Sequence, residues 1–145
     1  MRLLPMLLVA AWPAWLSIES PVNPFDRTAR DAVMLVHAAT REGAPRVTDL
    51  TGTAEGIVNG VRRSVAIRFD TTAFPGVFAV RRQWPAEGAW IVKIMLAQTT
   101  ALVTFDHAGN VASARVPTVM QNGFPIPRAV ASKEIDSTLA DAVKR

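Results

Sequence analysis

The chain has 145 residues, half of them apolar, with ten prolines, eight glycines and no cysteine. That length fits one domain with leader and tail segments, and the apolar share supplies a core without covalent staples. The missing cysteine excludes disulfides, thiolate metal sites and cysteine nucleophiles, and the net charge of +4 is too thinly spread, with no lysine-rich block or basic helix, to point to nucleic acid.

Residues 1–17, MRLLPMLLVAAWPAWLS, set one arginine before an apolar run from Leu3 to Leu16. This is the order of a secretory signal, and the run falls short of the roughly 20 apolar residues of a membrane span. Val9-Ala10-Ala11 satisfies the small-x-small cleavage pattern. Cleavage after Ala14 or Ser17 would put Trp12 or Trp15 where a small residue is wanted. The segment is expected to be a signal peptide or a short membrane anchor through residues 3–16. A buried N-terminal strand or helix is the competing reading. Residues 18–30 carry two prolines and no sustained period, which reads as a linker.

A sandwich domain is expected over residues 31–120. Asp31 to Ala39 gives a first strand with Val33, Leu35 and His37 on one face and Met34, Val36 and Ala38 on the other, apolar enough to be covered on both sides. A strand from Val47 to Val58 contains Gly52 and Gly56, which suggest a bulge or bend. Asn59-Gly60 then predicts a type I′ hairpin turn. The strand Val61 to Asp70 alternates, with Val65, Ile67 and Phe69 facing in.

The stretch Phe74 to Leu96 organises the rest. Phe78, Val80 and Trp84 alternate along one strand, and Trp90, Val92, Ile94 and Leu96 along the next. Pro85-Ala86-Glu87-Gly88 between them predicts a tight turn and a hairpin, with Trp84 and Trp90 at its root. Further strands follow at 99–106 and 111–116, around a turn at His107-Ala108-Gly109-Asn110. Residues 121–145 read as a loop, from Gly123, Pro125 and Pro127, and a helix. The helix runs from an N-cap at Ser132, with Ile135, Leu139, Ala142 and Val143 as its apolar stripe. The fold class predicted is all-β: an immunoglobulin-like antiparallel β-sandwich of about seven strands with a short C-terminal helix.

The pattern Gly76-Val-Phe-Ala-Val followed by Trp84-Pro-Ala-Glu-Gly-Ala-Trp90-Ile-Val-Lys-Ile resembles one in small exported bacterial β-sandwich modules, the YtkA-like and FixH-like domains. The resemblance covers roughly residues 47–105. It implies a periplasmic or membrane-tethered sandwich with no catalytic centre, some relatives being tied to metal handling or to assembly of membrane complexes. No ligand motif is carried over.

For metal, the candidates are His37, His107, Met95 and Met120, since thioether suits Cu(I) and imidazole Cu(II). There is no His-x-His or Met-x-x-Met, and Met34 and His37 point to opposite faces of a strand. Packed methionines and a half-buried histidine are the simpler reading. For catalysis, there is no G-x-S-x-G elbow and no phosphate-binding loop, and no cofactor is expected. For binding, Arg62, Arg68, Arg81, Lys93 and Arg115 fall on predicted strands. Aligned by their neighbours they would make an anion-binding stripe, whereas pairing with Glu55, Asp70 and Asp49 would leave none. Trp84 and Trp90 are core residues on their alternation, and a sugar platform if exposed.

The expectation is an exported, non-catalytic sandwich, periplasmic or tethered facing the periplasm. It would bind or scaffold another envelope protein or an anionic surface. The alternative is a periplasmic copper-binding module.

Overall fold

The computed structural model describes residues 14–144, so the signal-peptide reading of residues 1–13 lies outside the described residues. Among the described residues nine strands form two antiparallel sheets packed face to face. One sheet holds β1 (Trp15–Glu19), β2 (Ala32–Ala39), β5 (Asp70–Thr71) and β6 (Val77–Arg81), in the order β1-β2-β6-β5. The other holds β3 (Leu50–Val58), β4 (Val61–Ala66), β7 (Ala89–Leu96), β8 (Thr99–Phe105) and β9 (Val111–Arg115), in the order β4-β3-β7-β8-β9. A separate hairpin, β10 (Thr118–Gln121) and β11 (Phe124–Pro127), precedes the helix α1 (Ser132–Val143). The all-β sandwich with a short C-terminal helix is the fold. Its two sheets use nine strands where about seven were expected, because β1 and the two-residue β5 carry no readable period.

Alternation placed the core faces correctly. Met34, Val36, Phe78 and Val80 from one sheet meet Trp90, Val92, Ile94, Leu96 and Val103 from the other. The outer faces are covered too. Leu35 and Ala79 lie under Val22 and Ala29, and Ile91 lies under Ile135 and Leu139 of α1.

Several expectations need correction. The stretch Phe74 to Leu96 is not a hairpin. β6 pairs with β2 and β5, and β7 with β3 and β8, so Arg82–Gly88 crosses from one sheet to the other. Period-two alternation fixes which face is buried and leaves the neighbouring strand open. The crossing is held by side chains in place of a ladder. Arg82 donates to the carbonyls of Trp84 and Pro85, and the Gln83 amide bonds both the N–H and the C=O of Arg68.

The predicted strand Val61 to Asp70 also changes sheets. Its first six residues are β4, Ile67 and Phe69 plug the core, and Asp70–Thr71 pair in the opposite sheet. Gly52 and Gly56 lie in an unbroken register and mark no bulge. A Cβ at 52 would strike Ile67 and Phe69, and one at 56 the indole of Trp90, so these glycines make room for large neighbours.

The domain also begins earlier and ends later than residues 31–120. Ala14 and Leu16 are in the core, β1 pairs with β2, and residues 20–30 cap the outer face. The end of the apolar leader and the linker are therefore part of the sandwich. The loop expected at 121–127 is a hairpin whose turn, Asn122-Gly123, has both φ positive. In a two-residue I′ hairpin the closing pair Gln121↔Phe124 is the hydrogen-bonded kind and pairs then alternate. Pro125 and Pro127 fall at the other kind, where their missing N–H costs the ladder nothing. Helix α1 starts from Ala131 as N-cap, with Ser132 already inside it.

Candidate functional site

The sandwich has two distinct ends. At the entry end lie Ala14, whose carbonyl accepts from the Thr99 hydroxyl, and the Ala97–Gln98 link between β7 and β8. At the far end three connections converge: the Asn59-Gly60 turn, the Arg82–Gly88 crossing and the Asp106–Asn110 turn. Asn59 and Gly60 both have positive φ, as an I′ turn requires. Asp106 folds the third connection by accepting the N–H groups of Ala108 and Asn110.

Between these connections and the last turn of α1 is a groove of about 820 Å³. Trp84, Trp90 and Phe105 line its deep side, and Ala142 and Val143 its helical wall. Trp84 and Phe105 pack with ring centroids 5.2 Å apart and planes tilted by 46°. The Trp90 indole N–H donates to the Glu87 carbonyl at 2.7 Å, tying the crossing to the root of β7. The apolar stripe of α1 explains the wall. Ile135 and Leu139 are buried on the sheet, while Ala142 and Val143, one turn further on, overhang the edge and face the groove.

The polar side chains with acid–base groups in the groove are Arg82, Asp106 and His107. Arg82 is committed to the Trp84 and Pro85 carbonyls, and Asp106 to its own turn. The work of these two is structural, and His107 stands beside small side chains, turn backbone and the half-buried Phe105.

The predicted basic stripe is not assembled. Arg81 is on the four-stranded sheet, where it bonds Asp70 at 2.7 Å and the carbonyls of Thr28 and Arg30. Arg68 lies in the crossing between sheets. Arg62, Lys93 and Arg115 do share the outer face of the five-stranded sheet, and Lys93 and Arg115 share one cross-strand row through Leu102. Arg62 is drawn off by Glu55 at 2.8 Å and Asp136 at 3.4 Å, and Arg115 by Glu134 at 3.6 Å. Alternation could not foresee that α1 would lay two carboxylates across this face.

The metal candidates are scattered. His37 is on the outer face of β2, 2.9 Å from Glu19 of β1, and His107 is in the far-end turn. Met95 is on β7 and Met120 is exposed on β10. Among the described residues no group of three or more His, Cys, Asp or Glu is placed to hold a metal ion. Trp84 and Trp90 are 6% and 4% exposed, so they form no sugar platform. Sequence reasoning missed the groove because its walls come from three connections and the last turn of α1, far apart in the chain. The apolar stripe that carries Ala142 and Val143 was readable, but not that these two pass beyond its buried part.

No family model, no curated protein and no solved structure matches this chain.

Proposed function

We propose that this chain is an exported, non-catalytic β-sandwich that binds another component of the cell envelope through the groove at its far end. The observation that supports the reading is the use of the charged groups there: Arg82 and Asp106 hold the loops, leaving Val143, the half-buried Phe105 and small side chains, with His107 beside them, for an incoming apolar segment. The leader, with one arginine before Leu3 to Ala11, supports export. Cleavage after Ala11 would leave all of β1 in the mature chain, whereas cleavage after Ser17 would remove Leu16 from the core.

The test is site-specific photocrosslinking in cells. A photoreactive residue at Ala86 or Ala112 should capture one discrete envelope protein, and one at Ser64 on the outer sheet face should not. A purely cytosolic chain in fractionation would remove the export premise. Equal labelling at all three positions would remove the groove.

A further inference from the structure

Among the described residues eight large apolar side chains are exposed; Trp15 and Phe74 lie at the entry end, and Val119, Met120 and Phe124 are on the hairpin that leaves the body there. Trp15 follows Ala14, which is bonded to the start of β8. Phe74 lies in the connection from β5 to β6, beside the end of β2, where the Ala38 N–H donates to Gly76. The β10–β11 hairpin starts two residues after β9, and β9 runs antiparallel to β8, so the hairpin leaves the body at the start of β8. Soluble monomers rarely gather exposed apolar side chains in one region without a use for them.

The hairpin is built to stand by itself. All of β10 is exposed, and β11 is no more than half-buried. A bare two-stranded hairpin is marginal in water. Here the Asn122-Gly123 turn, the two prolines and the bond from the Arg128 N–H to the Pro117 carbonyl hold it in shape. Phe124 and Gln121 flank the turn, and Met120 stands one pair behind on the opposite face, so the finger carries an apolar side chain on each face, Met120 67% and Phe124 69% exposed.

We propose that this end of the sandwich docks on a lipid bilayer, with the β10–β11 hairpin as a finger that lays Met120 and Phe124 into the boundary between headgroups and acyl chains. The chain outside the described residues decides the occupant. Thirteen residues precede Ala14, and they include the apolar runs Leu3-Leu4 and Met6 to Ala11, so with the leader kept as an anchor rather than cleaved the chain's own apolar segment joins the domain at this same end. An exposed tryptophan beside that junction suits the bilayer interface, where an indole keeps its ring in an apolar layer and its N–H in a wet one. Arg41 and Arg46 of the neighbouring loop are matched in number by Glu42 and Asp49, so the loop carries no net charge and insertion here is apolar rather than electrostatic. The groove is at the opposite end, and lipid docking leaves it open to a partner.

The experiment is vesicle flotation of the full chain, with phosphatidylcholine alone and with equal parts phosphatidylcholine and phosphatidylglycerol. The chain should bind both to a similar extent. The triple variant Val119→Ser, Met120→Ser, Phe124→Ser keeps the leader and should bind about tenfold or more weakly. Equal binding by a folded triple variant overturns the proposal, as does binding confined to anionic vesicles and abolished by salt. The chain has no cysteine, so Met120→Cys and Ala108→Cys each accept one polarity-sensitive dye, whatever the triple variant does. Vesicles should blue-shift the dye at 120 and leave the dye at 108 unchanged. The same response at both ends, or no response at 120, overturns the proposal. So does self-association through position 120 without a lipid response, which would assign the finger to a second copy of the chain.

Discussion

Gly56 and Trp90 face each other directly across the β3–β7 ladder, and the indole fills the space where a side chain at 56 would stand. The pair seals the far end of the core and fixes the groove's deep side. Gly56→Val should therefore cost about 1–3 kcal/mol by overpacking. A chain of this size would show it as a fall in Tm of about 2–4 °C per kcal/mol. Trp90→Leu frees the space, so the double variant should lose less than the sum of the two single losses. Full additivity in thermal unfolding would show that the two do not meet.

The tryptophans should separate by burial. Trp84 is 6% exposed and packs on Phe105, and Trp15 is 57% exposed. Trp84→Ala is expected to cost about 3–5 kcal/mol. Trp15→Ser should stay within about 1 kcal/mol, since a largely exposed side chain gives up little contact. Urea unfolding of the two variants checks the order. A larger loss at Trp15 would mean that β1 carries the fold.

Copper should find no organised site. His37 is engaged with Glu19 on one sheet, His107 sits at the far end, and Met95 and Met120 are on other strands. Titration with Cu(I) and Cu(II) should give weak, non-saturating binding that His37→Ala and His107→Ala leave unchanged. A stoichiometric site lost in either variant would restore the copper-binding alternative.

What was legible in the chain was which side chains face inward. Phe78, Val80, Trp90, Val92, Ile94 and Leu96 all do so, because alternation reports burial directly. Partners were not legible. The same inward alternation serves two strands side by side or two strands on opposite sheets, and β6 and β7 are the second kind. Asn-Gly worked as a turn signal at 59–60. It should have worked at 122–123, where Pro125 and Pro127 obscured a hairpin that tolerates them. The groove was hidden for a different reason. It is made by Asn59, Trp84, His107 and Val143, which share no local pattern and meet only after both sheets and the helix are in place.

Thr53 offers a gain. Its hydroxyl is buried on the outer face of β3 with no hydrogen-bond partner among the described residues. An unpaired buried hydroxyl loses its water and receives nothing in return. Thr53→Val keeps the branched strand shape and should raise stability by about 1 kcal/mol. A fall in Tm instead would reveal a partner for the hydroxyl, such as an ordered water.

Glu134 should make the docking of α1 sensitive to acid. Both its carboxylate oxygens accept from the Arg128 guanidinium at 2.8 Å, and Arg115 approaches at 3.6 Å. The hydrogen bonds from Arg128 are the main cause that holds the carboxyl below its ordinary value; burial opposes this, and the charges of Arg128 and Arg115 reinforce it. A carboxyl with a lowered folded-state pKa stabilises the fold above its unfolded value and ceases to do so as pH falls through the folded one. Glu134→Gln cannot titrate. Its deficit against the natural chain should be full at neutral pH and should close as the pH drops below about 4, the ordinary range of a glutamate. Thermal unfolding of both chains across that range tests the sign. A deficit that widens on acidification would mean that another carboxylate, not Glu134, holds the helix against Arg115 and Arg128.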